Sequence, residues 1–335
     1  DANTTGSNNV AIGLDALNTN TTASDNVAIG ANAMDANTTG ADNVAVGKSA
    51  LSSNTTAANN TAVGYAALRD TTTGAGNTAV GQMCLEANTT GYDNVAVGRS
   101  ALITNTTGYR SVAVGVGAMS AETTGVYNAA VGFEAMDAST TGSESAALGA
   151  WALRRLTTGG GNVGVGYTAG MSITTGANNV AIGWGAAIAT TTGSNNIALG
   201  KDAFKTNTTG ANNVAVGYNS LLANTTGSTN LAAGYYALGS NTTGTNNTAL
   251  GSYGALLNNT TASNNTAVGH NSLTTNSTGG NNVAVGAGAL LNNTTASDNI
   301  AVGVSALAAN TTGTNNTSVG RAALSTNTTA SGNTA

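Results

Sequence analysis

One histidine, one cysteine and fourteen carboxylates are all that the 335 residues offer for acid–base, nucleophilic or metal chemistry. Catalysis needs such groups to converge, and no pairing of them recurs along the chain, so the sequence points away from an enzyme and supplies no metal or cofactor set. His270 follows a strand-ending glycine where other copies of the same pattern carry Lys48, Tyr65 or Trp184, and reads as an exposed substitution. Cys84 stands where nearly every other copy has alanine, the place of a small buried residue. Gly47-Lys48-Ser49 imitates the end of a phosphate-binding loop, but Asp42 occupies the position of the required glycine. Nine basic against fourteen acidic residues leave a net charge of −5 and no basic stripe, which argues against nucleic acid as a partner. No apolar run is long enough to span a bilayer, so no membrane insertion is expected of this segment.

The chemistry that remains belongs to surfaces. A column of variable positions carries Tyr65, Phe133, Tyr167, Trp184, Tyr218 and Tyr235, with Trp151 beside it and Lys48, Arg99 and Lys201 interspersed. Aromatic rings on a rigid support can stack on sugars or insert into a receptor, so a host-surface glycan or protein receptor is the candidate partner. The plainer reading is that a tolerant surface position collects assorted residues. Copies from about 120 to 192 are atypical and concentrate Trp151, Arg154, Arg155 and Trp184, which marks them as the first place to look for recognition. Fourteen Asn-Thr/Ser sequons recur in phase, at Asn3, Asn20, Asn37, Asn54, Asn88, Asn105, Asn207, Asn224, Asn241, Asn259, Asn276, Asn293, Asn310 and Asn327. They are candidate glycosylation sites, although asparagine before a turn serves hydrogen bonding without any sugar.

What must position these residues is a tandem repeat. Nineteen glycines, from Gly13 to Gly320, recur every 17 residues apart from one step of 18 between Gly251 and Gly269, which places a one-residue insertion near 252–254 that a bulge would absorb. The unit reads Asn-Val-Ala-Ile/Val-Gly, two variable residues, Ala-Leu, two variable residues, Asn-Thr-Thr-Gly, then a variable and a polar residue. Alternation around Val10-Ala11-Ile12 predicts a short strand ended by glycine. A second extended segment is expected at Ala16-Leu17, and turn chemistry at Asn-Thr-Thr-Gly. Seventeen residues with about four apolar side chains cannot bury a face alone, so each copy must stack on its neighbours. The predicted fold is all-β, a parallel β-solenoid or β-roll of about twenty 17-residue coils, forming a single continuous array over 1–335 within a longer fibre. Stacking puts Asn9, Asn26, Asn43 and their successors into an amide ladder. The Ile12, Ile29, Val46 column, apolar in every copy, is expected inside. The uniformly small Ala11, Ala28, Ala45 column is expected to face a second wall, either the coil's own second strand or, preferably, a neighbouring chain, which implies a homo-oligomer.

The Asn-Val-Ala-Ile-Gly strand with its downstream Ala-Leu resembles, over the whole chain, the head repeats of trimeric autotransporter adhesins, which form a left-handed parallel β-roll. The unit with Asn-Thr-Thr-Gly is also similar to repeats of phage tail-fibre and surface proteins that end in a self-cleaving intramolecular chaperone domain. Autotransporter heads repeat at about 14 or 15 residues, so the extra residues here enlarge a turn. The resemblance implies a homotrimer, extracellular, on a cell surface or on a virion, acting as a spacer and adhesive shaft. Two alternatives come from other classes: a self-assembling filament subunit, and an ice-binding solenoid, whose Thr-x-Thr pattern is replaced here by adjacent threonines.

Overall fold

The structure, a computed structural model, describes residues 2–335 and is all-β. The chain falls into two compact units, 1–165 and 166–335. The first holds ten strands, β1 (Val10–Ile12) to β10 (Val163–Val165), and the second nine, β11 (Val180–Ile182) to β19 (Thr317–Val319). Each repeat contributes one strand, which lies parallel to the strands of adjacent repeats and in register with them, as Val10 with Val27 or Ile197 with Val214. Each unit is therefore a parallel β-solenoid with a 17-residue coil.

The inside and outside of the strand are reversed from the sequence expectation. Ala28, Ala45, Ala62 and their successors are fully buried, whereas the flanking aliphatics are half-buried or exposed, with Val97 at 37 % and Leu148 at 53 %. The second wall that demands a small residue is the same coil's own far side, not a neighbouring chain. In the second unit the core is three stacked columns: the strand alanines, the alanines equivalent to Ala186 and Ala203, and the column containing Phe204, Leu221 and Leu238. A coil this narrow has room for a methyl group opposite a leucine, so the larger strand side chains go outward.

The expected second strand at Ala16-Leu17 is a turn. Residues on both sides of its alanine take left-handed backbone angles, as Ser49 (φ 58°) and Leu51 (φ 50°) do around Ala50. A leucine there costs roughly 1–2 kcal/mol of backbone strain, offset by about 1.5–3 kcal/mol for burying its side chain. The turn closes with Ala50 N–H donating to Gly47 O at 3.3 Å, and it stacks on the next coil through Leu51 N–H to Ala67 O at 3.0 Å.

The strand-ending glycine is fixed by geometry. Gly132 has φ of 143°, and a Cβ there would lie 2.5 Å from the carbonyl oxygen of Gly149 in the next coil. The insertion is absorbed as expected: β14 (Leu231–Tyr235) and β15 (Thr248–Tyr253) lengthen, and their register shifts between Ala233 and Tyr235.

Candidate binding surfaces

Two columns that are asparagine in most coils, and buried in all but the outermost, run along the repeats. The expected ladder is present: Asn43 donates from its backbone N–H (2.9 Å) and from Nδ2 (3.2 Å) to Asn26 Oδ1, and Nδ2 also reaches Ala57 O at 2.9 Å. The sequon asparagines form a second ladder, with Asn54 Nδ2 donating to Asn37 Oδ1 at 2.9 Å and to Ala57 O at 3.1 Å. Twelve of the fourteen sequon asparagines are buried to 1 % exposure or less, all but Asn3 and Asn327 in the outermost coils. The nitrogen that a glycan would use is thus turned inward and spent on the ladder.

The outward face of the strand is mostly aliphatic. Val10, Val27 and Val44 begin one column, in which Thr61, Thr78, Thr248, Thr266 and Thr317 also occur, and Ile12, Ile29 and Val46 another; from β2 on, the alanine between them is buried. A different column, Thr22, Thr39, Thr56 and successors, is threonine in all twenty copies and exposed in each. Its partner Thr21 is half-buried and donates its hydroxyl to Thr38 O at 3.0 Å, so adjacent threonines diverge.

The aromatic positions are exposed and assemble into groups. In the second unit Tyr167 stacks on Trp184 (centroids 6.4 Å apart, planes at 13°), Tyr218 on Tyr235 (5.3 Å, 12°) and Tyr235 on Tyr253 (5.4 Å, 15°), with His270 following at 5.9 Å. The bulge keeps Tyr253 in this column despite the extra residue. Tyr236 packs edge-on against Tyr235 at 4.8 Å. Lys201 bridges the gap in the column, its Nζ 5.1 Å from the Trp184 ring and 5.8 Å from that of Tyr218. In the first unit Phe133 meets Trp151 edge to face at 6.1 Å, while Trp151 Nε1 donates to Glu134 Oε2 at 3.1 Å and Arg154 Nη2 pairs with the same oxygen at 2.8 Å. Arg155 is exposed in the same coil, and Tyr65 is half exposed further towards the N-terminus.

One group escapes the sequence reading. Tyr92 and Tyr109 stack at 4.7 Å, Tyr127 meets Tyr109 edge-on at 5.5 Å, and the Arg110 guanidinium lies 5.7 Å from the Tyr92 ring and donates to the Tyr127 hydroxyl at 3.2 Å. That bond to Tyr127 raises the guanidinium's pKa further. Arg110 and Tyr127 occupy the left-handed position that Asn, Asp or Gly fills in most other coils. A large residue where the backbone favours Asn or Gly was the signal available in the sequence.

Among the described residues Cys84, Glu122 and Asp202 are buried. Burial pushes the Cys84 thiol up to about 12, leaving it unreactive at neutral pH. Burial likewise raises Glu122, which replaces a ladder asparagine, to about 7.

No protein-family model and no curated protein sequence matches the chain. The functional reading therefore rests on the surfaces described above.

Proposed function

We propose that this chain is a non-catalytic structural and adhesive shaft, extracellular or on a virion, that self-associates through the aliphatic face of its strands. The observation that carries this reading is the outward aliphatic column of Ile12, Ile29, Val46 and successors, apolar in every strand, flanked by the Val10, Val27, Val44 column in which threonine recurs at Thr61, Thr78, Thr248, Thr266 and Thr317. A partner must match a 17-residue coil spacing over many turns, and a second copy of the same repeat does so without adjustment. The proposed assembly is a homotrimer, with an open filament as the alternative arrangement of the same contact. Exposed aromatics on such a shaft are repeated with every copy, so weak contacts to a glycan or protein receptor add through avidity.

Sedimentation of the whole chain tests this. Association at micromolar concentration is expected, and Val131→Lys with Leu199→Lys should yield monomers of unchanged β-content, while electron microscopy separates trimer from filament. A wild-type monomer at those concentrations would sink the proposal.

The exposed threonine column favours a second reading, an ice-binding solenoid. Its hydroxyls recur at the coil spacing of roughly 4.8 Å, but form one column where a flat array needs two. Thermal-hysteresis measurement on the purified chain decides it.

A further inference from the structure

Charge is scarce in this protein, yet two of its three lysines and one of its two tryptophans fall in adjacent coils on one surface: Trp184, Lys201 and Lys205. Tyr167 covers one face of the Trp184 indole. Lys201 Nζ, at 5.1 Å, and Lys205 Nζ, at 6.0 Å, lie over the indole from the next coil. Lys201 Nζ is also 5.8 Å from Tyr218, one coil further on. The lysine thus fills a gap in an otherwise stacked column.

Trp184 and Tyr218 are two coil spacings apart, roughly 10 Å. A flat ring touching both would need only about 7–8 Å, so the gap suits a thicker, puckered ring. Lys205 is paired with Asp202 at 3.2 Å, whereas Lys201 has no carboxylate within salt-bridge distance among the described residues. An exposed ammonium held only by ring faces is available to an anion, which it would meet with a charge-assisted hydrogen bond.

We infer that Trp184, Tyr218, Lys201 and Lys205 form a binding site for a carboxylated pyranose, its ring taking the place between the two aromatic side chains that the Lys201 side chain holds in the free protein, and its carboxylate meeting the displaced Lys201 ammonium together with Lys205. The inference deepens the adhesive reading by giving one receptor chemistry, shared by uronate polymers and sialylated glycans. It does not depend on self-association.

The test uses the full chain carrying Trp151→Phe, so that Trp184 alone fluoresces. Trigalacturonate, sialyllactose and neutral cellotriose are titrated separately, and saturation-transfer NMR on the wild-type chain supplies a second readout. Saturable binding of at least one acidic sugar is expected, with cellotriose at least about tenfold weaker. Lys201→Ala/Lys205→Ala should weaken the acidic sugar by about tenfold or more, with an unchanged circular-dichroism spectrum. Trp184→Ala, followed by NMR, should also lose binding. The two acidic arms tell a uronate from a sialate source. No binding by either acidic sugar, equal binding of cellotriose, or indifference to loss of both lysines would overturn the inference. A chain that associates but shows any of these leaves the shaft intact and removes the site, whereas a monomer that binds the acidic sugar does the reverse.

Discussion

The second asparagine column runs differently in two stretches of the molecule. From Asn241 to Asn310 it is uninterrupted: Asn259, Asn276, Asn293 and Asn310 each donate to the Oδ1 of the coil before at 2.8–3.1 Å and to a carbonyl of their own turn. Between Asn105 and Leu156 the same column holds Glu122 and Ser139. The Glu122 side chain brings no N–H, its Oε2 accepts from Asn128 at 3.4 Å, and its Oε1 makes no well-formed hydrogen bond although the Ser139 hydroxyl and the Gly125 N–H lie close. The backbone takes no notice, since Glu122 N–H still donates to Met119 O at 3.2 Å and Ser139 N–H to Met136 O at 3.0 Å. The comparison teaches that parallel backbone bonding and the glycine column carry the coil, while the amide ladder adds local stability that one stretch forgoes.

The largest effect should be blind to this difference. Gly132→Ala, in the interrupted stretch, and Gly286→Ala, in the regular one, each place a Cβ 2.5 Å from the next glycine's carbonyl oxygen at φ above 130°. Both should cost on the order of 4 kcal/mol, read as lost hydrogen-exchange protection in the flanking coils. If only one does, the glycine column is not the common support.

Next in size is the pH dependence of the interrupted stretch. Glu122 has its folded pKa raised to about 7 by burial from an ordinary value of 4.5, and no other charged group contributes to the shift. The native state therefore holds a proton that the unfolded state has released. Stability is full below about pH 4.5 and falls as pH rises to about 7, by up to roughly 3 kcal/mol. Glu122→Gln should flatten that slope in amide exchange of the surrounding coils, and coils around Asn276 should show none of it in either protein.

The ladder itself is tested by a pair of truncations. Asn276→Ala leaves Asn259 Oδ1 without the donor Asn276 Nδ2 and takes from Asn293 Nδ2 one of its two acceptors, for a loss of about 2 kcal/mol. Ser139→Ala removes a hydroxyl that makes no well-formed hydrogen bond, only a loose contact with Glu122, and should change stability by less than about 0.5 kcal/mol. Equal losses would mean the two stretches do not differ energetically. Smaller than the loss at Asn276 is the effect expected at the surface, where Tyr109→Ala breaks the Tyr92 stack and should cost no more than about 1 kcal/mol in thermal unfolding.

Much of this was readable from residue types. The invariant glycine predicted a backbone that only glycine adopts, and the Asn9, Asn26, Asn43 column predicted an amide ladder. Tyr167, Trp184, Tyr218 and Tyr235 were recognised as one column because they share a phase. Lys201 was placed in that column, but Lys205 was not joined to it, since it lies four residues on in a turn whose left-handed bends were unseen. The Tyr92, Tyr109, Tyr127 and Arg110 group was missed because its members occupy two different repeat positions.

The 17-residue period by itself determined one short strand per copy, parallel stacking and the need for neighbours, because too few apolar groups exist in one unit to bury a face. Which side of that strand is inside was decided only by the closed coil. Period-two alternation separates alanine from valine but both are apolar, so hydrophobicity cannot choose between them. The choice is made by width: two left-handed residues fold Ala-Leu back across the strand, the space between admits a methyl group, and the aliphatic columns are left facing outward.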